Sequence, residues 1–168
     1  HEPHPDCQTI PIGSVNGMAA RAALAMLKPE AVLVIGTRII GAETLKAIQV
    51  PLVNFHSGIN PKYRGQAGGY WALAAGDPEH CGVTLHLVDQ GVDTGGVLYQ
   101  AKIAPTKADS FPTYFWLQAA AARPLAVRAM EDALEGRLKV IDLGLPSQQF
   151  YVPTLWRYLW IGFKRGVW

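Results

Sequence analysis

Apolar and polar residues follow one another along this chain in blocks that predict alternating helices and strands. The segment GMAARAALAMLK has apolar positions at helical spacing, with Asn16 as its predicted N-cap and Pro29 marking its end. The continuous apolar run AVLVIG at 31–36 is typical of a strand buried on both faces. A second short helix is predicted to end near Ile48, and PLVNF at 51–55 is predicted to form a second buried strand. This succession of helix, strand, helix and strand indicates an α/β fold.

The second half of the chain continues with the helical segment YWALAAG and two further predicted strands. The first, at 82–89, alternates apolar and polar residues, and the second is VLYQAKI at 97–103. These two strands are predicted to pair through the glycine-rich connection DQGVDTGG. Ser110 is the predicted cap of a helix rich in alanine and aromatic residues. Pro124 is predicted to break or kink it, and a second amphipathic segment is predicted to stop at Gly136.

Composition limits the class of protein. With 168 residues, of which 49% are hydrophobic, the chain is most simply one globular domain with a substantial core. A net charge of +2 with scattered Lys and Arg gives no reason to expect a nucleic-acid partner. Cys7 and Cys81 have no metal-ligand spacing, so neither a metal site nor a disulfide framework is expected, and a cytoplasmic setting is the default. No apolar run has the length of a membrane span.

Two polar residues lie at the carboxyl end of the second predicted strand. Side chains alternate across a strand, so Asn54 and His56 point to the same side, at a carboxyl end where α/β proteins place their ligands. A second polar loop, DQGVD, also follows a strand and is predicted to bring Asp93 to His56. An amide, an imidazole and a carboxylate suit acyl transfer through an oxyanion intermediate. When the acceptor is an amine, no nucleophilic Ser or Cys is needed.

These residues lie in motifs that resemble the folate-dependent formyltransferases, a family that includes methionyl-tRNA, glycinamide ribonucleotide and sugar-nucleotide N-formyltransferases. The resemblance rests on NFHSGINPKYRG, WALAAGD and GVTLHLVDQGVDTGGVLYQAKI, and it covers about Val15 to Leu138. It implies a Rossmann-like formyltransferase domain with a mostly parallel sheet. The family opens with a strand, a turn, a helix and a second strand, and nothing similar precedes CQTIPIGSVN. We therefore expect a domain that lacks its first strands. The explanation that we favour is a missing amino-terminal segment. The alternatives are that another chain supplies these strands or that the exposed edge of AVLVIG is covered in some other way.

The resemblance also implies the reactants and the residues that handle them. The donor is 10-formyltetrahydrofolate and the acceptor a primary amine. Asn54 matches the family residue that hydrogen-bonds the formyl oxygen, and His56, oriented or charged by Asp93, supplies a second donor and aids proton transfer. Ser57 and Arg64 lie on the loop that faces the acceptor in relatives, where HSGINP departs from the commoner HPSLLP. The residues expected against the folate are Arg38, Ile39, Ile40, Val88, Asp89, Gly91 and Val92.

Several alternatives stay open at this level. The spacing HxGxxPxYRG followed by YWAL resembles the sugar-type enzymes, so an amino sugar is expected ahead of a small amino acid or peptide amine. The alternative to an enzyme is a non-catalytic remnant, a folate-binding or interaction module of the same fold. His86 alternates with core residues, and structural and functional roles are equally compatible with its position.

The chain is divided into two predicted regions. Residues 1–140 are expected to form the amino-terminally incomplete catalytic domain, and residues 141–168 an extension rich in aromatic residues. The extension is expected to pack on the domain or on a partner, which makes a homodimer an alternative to a missing segment. A position at a membrane interface is the less favoured interpretation of its aromatic and basic residues.

Overall fold

The fold is described by a computed structural model for residues 6–168, so the first five residues of the predicted catalytic region lie outside the described residues. The helices are α1 (Met18–Leu27), α2 (Ala42–Ala47), α3 (Gly68–Ala74), α4 (Phe111–Leu134) and α5 (Leu155–Arg165). A short 3₁₀ helix lies at Pro78–His80. The strands are β1 (Val32–Ile35), β2 (Leu52–His56), β3 (Arg64–Gly65), β4 (Gly82–Leu87), β5 (Val97–Lys102) and β6 (Gln149–Phe150).

The main sheet has four strands in the order β1-β2-β4-β5, and β3 pairs with β6 in a separate small sheet. β1 runs parallel to β2, whereas β2 with β4 and β4 with β5 are antiparallel. The predicted α/β class and the predicted pairing of the two strands around the glycine-rich connection are confirmed. The sheet is mixed rather than mostly parallel. The short connection between β4 and β5 reverses the chain direction, and β4 also returns antiparallel to β2 after the longer connection through β3 and α3.

The strand register separates a core face from a polar face. Asn54 lies opposite His86, and His56 opposite Thr84. Because side chains alternate, these four project on one side of the sheet while their neighbours project on the other. The neighbours form a core with α4, made of Val53, Val83, Leu85, Leu98, Ala122 and Ala129. Burial of each larger aliphatic side chain in this core contributes about 1.5–3 kcal/mol to the free energy of unfolding. The packed core therefore supports the strands that present the polar face.

α4 is longer than the sequence predicts. It begins after the predicted cap Ser110, whose backbone N–H donates to the Thr113 hydroxyl at 2.8 Å, and it continues through Pro124. The predicted break at Pro124 does not occur, because both sides of the helix pack on the same sheet through the buried residues Ala122 and Ala129.

β1 is only half covered, which corrects the prediction of a strand buried on both faces. Val34 packs with Ile40 and Leu52, whereas Leu33 is 36% exposed and Ile35 is 56% exposed. Among residues 6–168, β1 pairs only with β2, so it lies at the edge of the sheet. An apolar sequence alone does not distinguish a central strand from an edge strand whose second face lacks a covering layer.

The carboxyl-terminal segment packs against the rest of the chain. Ile161 of α5 is buried in a cluster with Tyr70, Trp71 and Tyr114, and the Trp71 indole donates to the Tyr151 carbonyl at 2.8 Å. β6 runs parallel to β3. The division of the chain near residue 140 stays a prediction, but residues beyond it are part of the same packed structure.

The loop after β2 crosses the start of α3 at two glycines, and this crossing yields a stability prediction. A Cβ on Gly68 would lie 2.6 Å from Gly58 Cα and 2.7 Å from the Tyr63 carbonyl oxygen. Both atoms belong to the backbone and cannot rotate away, so Gly68→Ala is expected to lower the free energy of unfolding by about 1–3 kcal/mol in urea denaturation. Gly13→Ala is the matched control because its Cβ would meet nothing within 4 Å. Equal stabilities of the two variants would show that the crossing is loose.

Candidate active site

A cavity of about 820 Å³ lies against the polar face of β2 and β4. Its size falls within the range of small-molecule sites, roughly 300–1,000 Å³. Asn54, His56, His86 and Asp93 all line it. The first three come from facing strand positions, whereas Asp93 comes from the loop between β4 and β5.

Asp93 reaches His56 by a route that the sequence does not predict. β4 runs antiparallel to β2, so the carboxyl end of β4 lies beside the amino end of β2, away from His56. The loop between β4 and β5 therefore folds back across the sheet face. Asp93 adopts a left-handed conformation with φ 51°, and the Asn60 amide donates to its carbonyl at 3.1 Å. An uncommon backbone conformation held by tertiary contacts is typical of functional sites.

His56 is held between two oxygens. Its Nε2 donates to the Tyr63 carbonyl at 2.7 Å, and its Nδ1 lies 3.2 Å from Asp93 Oδ2. The side chain is only 4% exposed. With the proton fixed on Nε2 by Tyr63, a neutral imidazole keeps a free lone pair on Nδ1 beside the carboxylate. A proton taken up at Nδ1 would be hydrogen-bonded to Asp93.

The protonation of this pair depends on a balance between burial and charge. Burial lowers the pKa of His56 below its ordinary 6.5, against the opposing effects of Asp93 and the Tyr63 carbonyl. Burial alone would raise the pKa of Asp93. The hydrogen bond with His86, the charge of His56 and the Gly65 amide outweigh burial and leave the pKa of Asp93 lowered. At neutral pH the site therefore holds an ionised carboxylate next to an imidazole able to accept a proton.

The Asn54 amide is oriented by a residue whose role the sequence left open. Asn54 Nδ2 lies 3.0 Å from His86 Nε2 and 3.3 Å from Asp93 Oδ1. His86 Nδ1 donates to the Leu87 carbonyl at 2.6 Å, and its Nε2 also lies 3.3 Å from Asp93 Oδ1, so the ring is held in place beside the Asn54 amide. Recognising this contact required the β2–β4 register, since Asn54 and His86 are directly opposed.

Most of the residues expected at the site line the cavity. All seven predicted folate contacts and Ser57 are among its lining residues, although their roles stay predictions. Arg64 is the exception. Its guanidinium donates to the Val92 carbonyl at 2.7 Å and to the Ser147 hydroxyl at 2.8 Å, outside the cavity lining. Its contact with the acceptor stays a prediction, and in this structure Arg64 holds the loop next to Asp93.

Asn16 has a role that the sequence did not indicate. Gly17, not Asn16, is the N-cap of α1, and the Asn16 side chain makes no capping bond. Its Nδ2 donates to the Ile39 carbonyl at 2.9 Å, and its Oδ1 accepts from the Gly41 amide at 2.7 Å. This pair of bonds fixes the loop that carries the predicted folate residues. An Asn immediately before a helix is a common N-cap, so the sequence alone favoured a capping role over a bond to a distant loop.

The carboxyl-terminal segment also contributes to the cavity. Gln149, Phe150 and Tyr151 line it, as does Phe115 of α4. No sequence signal places these residues near Asn54, because the small sheet that carries Gln149 forms between segments more than eighty residues apart. The site therefore includes residues from both predicted regions of the chain.

Residues 6–168 contain neither a metal-binding cluster nor a membrane-spanning helix. Within that range, no group of three or more His, Cys, Asp or Glu side chains is arranged to hold a metal ion. No helix in the same part of the chain has the length and apolar character needed to cross a membrane.

Comparison with known proteins identifies the family. Residues 14–115, more than half of the chain, match the family model described as formyl transferase. The chain therefore belongs to the formyltransferase family. The matched residues include all of β1, β2, β4 and β5 and the loops that follow β1, β2 and β4, whereas the cavity residues 149–151 lie outside the match.

The curated relatives include methionyl-tRNA formyltransferases. The chain is 33% identical to that of Pelotomaculum thermopropionicum over 136 residues, which are 80% of this chain and 42% of the relative. It is 28% identical to that of Levilactobacillus brevis over 151 residues, 89% of this chain and 48% of the relative. The chain thus spans less than half the length of these relatives.

Solved structures of sugar N-formyltransferases share the fold. A likely sugar N-formyltransferase from Mycobacterium tuberculosis superposes with a TM-score of 0.65 at 22% identity, over 84% of this chain and 62% of the other. A formyltransferase from Anoxybacillus kamchatkensis, solved with a UDP-linked formamido sugar and tetrahydrofolate, gives a TM-score of 0.65 at 20% identity. The alignment covers 78% of this chain and 69% of that one. At this level of identity, the likeness shows the fold.

The contact between His56 and Asp93 predicts a change in titration. Asp93→Asn removes the negative charge that opposes the effect of burial, so the pKa of His56 is expected to fall further below 6.5 than in the wild type. Proton NMR titration of the imidazole Cε1–H measures it, with His56→Asn used to assign the resonance. Asp142→Asn is the control, because Asp142 is exposed and accepts only from the Gly144 amide. A higher pKa in Asp93→Asn would contradict the assigned balance.

Proposed function

We propose that this chain transfers a formyl group from 10-formyltetrahydrofolate to a primary amine. The observation that carries the proposal is that Asp93 joins two residues of β2 at the cavity wall. One of its oxygens lies 3.3 Å from the Asn54 amide and the other 3.2 Å from His56 Nδ1. Family membership supports the reaction class. Because the chain spans less than half of its curated relatives, its activity on its own is part of the proposal.

The reaction joins the amine nitrogen to the formyl carbon and breaks the bond between that carbon and N10 of the folate. Negative charge develops on the formyl oxygen, where the Asn54 amide donates in exchange for its longer 3.3 Å bond to Asp93. The attacking nitrogen loses a proton and N10 gains one. The pair of Asp93 and His56 accepts the first proton, which is held between Asp93 Oδ2 and His56 Nδ1 and is then available for N10.

The donor is assigned to the part of the cavity formed by the loops after β1 and β4. Both loops offer backbone groups for a pterin ring: residues 38–40 are fixed by Asn16, and residues 88–93 are fixed in part by Arg64. Two of the similar structures support a folate ligand. One is the Anoxybacillus protein with tetrahydrofolate, and another is a sugar 3N-formyltransferase solved with 5-N-formyltetrahydrofolate.

For the acceptor we propose an amino sugar. The end of the cavity nearest the carboxyl-terminal segment is lined by Gln66, Gln149 and Tyr151, which are uncharged groups suited to hydrogen bonding with sugar hydroxyls. The sugar N-formyltransferases of the same fold support this choice. The curated relatives point to methionyl-tRNA instead, so that acceptor is the one to compare.

A non-catalytic folate-binding module is the second candidate. It is favoured by the uncovered face of β1, where Leu33 and Ile35 are exposed. Turnover by this chain alone would eliminate it, whereas folate binding without turnover would favour it.

The oxyanion role of Asn54 predicts a specific loss of activity. Asn54→Ala is expected to lower kcat about 100- to 1,000-fold, because removing one oxyanion donor costs about 2.7–4 kcal/mol. The measurement is tetrahydrofolate release from 10-formyltetrahydrofolate with nucleotide-linked amino sugars and with methionyl-tRNA as acceptors. Gln49→Ala serves as the control, since this amide is exposed and donates only to the Lys46 carbonyl. Wild-type turnover in Asn54→Ala would refute the role of the amide.

Donor binding is tested separately from turnover. Calorimetric titration with 5-formyltetrahydrofolate, a stable analogue of the donor, is expected to show one site per chain. Asp93→Ala should weaken it about tenfold, because the loop that lines the site loses its charged anchor. Asp142→Ala should bind like the wild type. Absence of binding by a folded chain would overturn both the enzyme and the folate-binding module.

A further inference from the structure

A second cavity, of about 390 Å³, lies between α3, α5 and the segment that leads to β6. It is separate from the candidate active site and has a different chemistry. Its walls carry three cations, from Lys62, Arg157 and Arg165, and they contain no Asp or Glu. Its volume is at the lower end of the range for small-molecule sites.

The two arginines of this cavity are not neutralised by the part of the chain that the structure describes. Lys62 is paired with Asp77 at 2.6 Å, whereas neither Arg157 nor Arg165 forms an ion pair with a carboxylate in residues 6–168. The Arg157 guanidinium lies 4.7 Å from the centre of the Trp71 ring, and one nitrogen of Arg165 donates to the Ala74 carbonyl at 2.6 Å. Both guanidinium groups are thus positioned by neutral partners and keep N–H donors for an anion.

An aromatic surface accompanies these cations. Phe150 stacks on Tyr63 at 5.3 Å and on Trp71 at 5.5 Å, so those rings are already packed together. Trp160 also lines the cavity, is 57% exposed, and makes no ring contact within residues 6–168. Its indole offers a free face on which a planar group can stack.

We infer that this cavity binds a nucleoside phosphate. The planar base would stack on Trp160, and the phosphate would accept hydrogen bonds from Arg157 and Arg165, a combination that neither inorganic phosphate nor a neutral nucleoside can make. The site is independent of formyl transfer, because Phe150 and the Tyr63 backbone separate it from His56 and Asp93. The same chemistry would fit a free nucleotide or the terminal nucleotide of an oligonucleotide.

Calorimetric titration with AMP tests the inference, in the presence of saturating 5-formyltetrahydrofolate if the folate binds. AMP is expected to bind at one site per chain, with adenosine and inorganic phosphate each at least about tenfold weaker. A phosphorylated single-stranded oligonucleotide distinguishes the sources: affinity equal to that of AMP assigns a terminal nucleotide as ligand, and exclusion of the oligonucleotide assigns a free one. Inorganic phosphate binding as tightly as AMP would overturn the assignment of a nucleoside phosphate.

Variants place the binding in this cavity. Arg157→Gln and Arg165→Gln are each expected to weaken AMP binding about tenfold, because each removes a charged donor. Arg123→Gln makes the same charge change at an exposed position outside both cavities and should bind like the wild type. Trp160→Glu replaces an exposed side chain and should abolish binding through charge repulsion, with thermal denaturation confirming that it folds. AMP affinity unchanged in Trp160→Glu and in both arginine variants would overturn the site.

Discussion

The candidate active site depends on the ionised carboxylate of Asp93. Its two oxygens contact Asn54 and His56 of β2, Gly65 of β3 and His86 of β4. Hydrogen bonds to a charged group contribute about 1.5–3 kcal/mol each, roughly twice as much as neutral ones. One side chain thereby joins strands that are otherwise connected by long loops, and its contacts also explain why the surrounding loop tolerates a left-handed residue at this position.

The Asp93 carboxylate has both a structural and a chemical role. It opposes the lowering of the His56 pKa by burial, competes with a substrate oxygen for the Asn54 amide, and anchors the loop that lines the proposed folate site. His86 orients the Asn54 amide, and the Tyr63 carbonyl fixes the tautomer of His56. The reacting groups are thus oriented before any ligand arrives, which is how an enzyme avoids reorganisation during reaction.

The parts of this arrangement that sequence could predict are those governed by local patterns. The i, i+2 spacing of Asn54 and His56 places them on one side of a strand, and the glycine-rich connection forces a hairpin between β4 and β5. The contact between Asp93 and His56 was also expected, but on the wrong assumption that both residues follow strands ending on the same side of the sheet. The contact instead requires the loop after β4 to fold back over the sheet, and no local sequence pattern indicates this.

Other features depend on contacts between distant segments and were not predictable. Asn16 had a plausible local role as a cap, yet its partners lie at 39 and 41. Arg64 has bonds to Val92 and Ser147 that its own motif does not indicate, whereas its role toward the acceptor stays a prediction. The exposure of Leu33 and Ile35 depends on what covers β1, which the apolar run itself does not encode.

Within residues 6–168, Phe150 is the one aromatic residue that lines both cavities. Because this ring forms part of the wall between the two compartments, they cannot diverge separately in evolution. A smaller residue at this position would open the wall beside Tyr63, and a bulkier one would narrow both compartments together. Changes in the preferred acceptor of such a protein are therefore expected to alter the neighbouring compartment as well, even when no residue there is replaced.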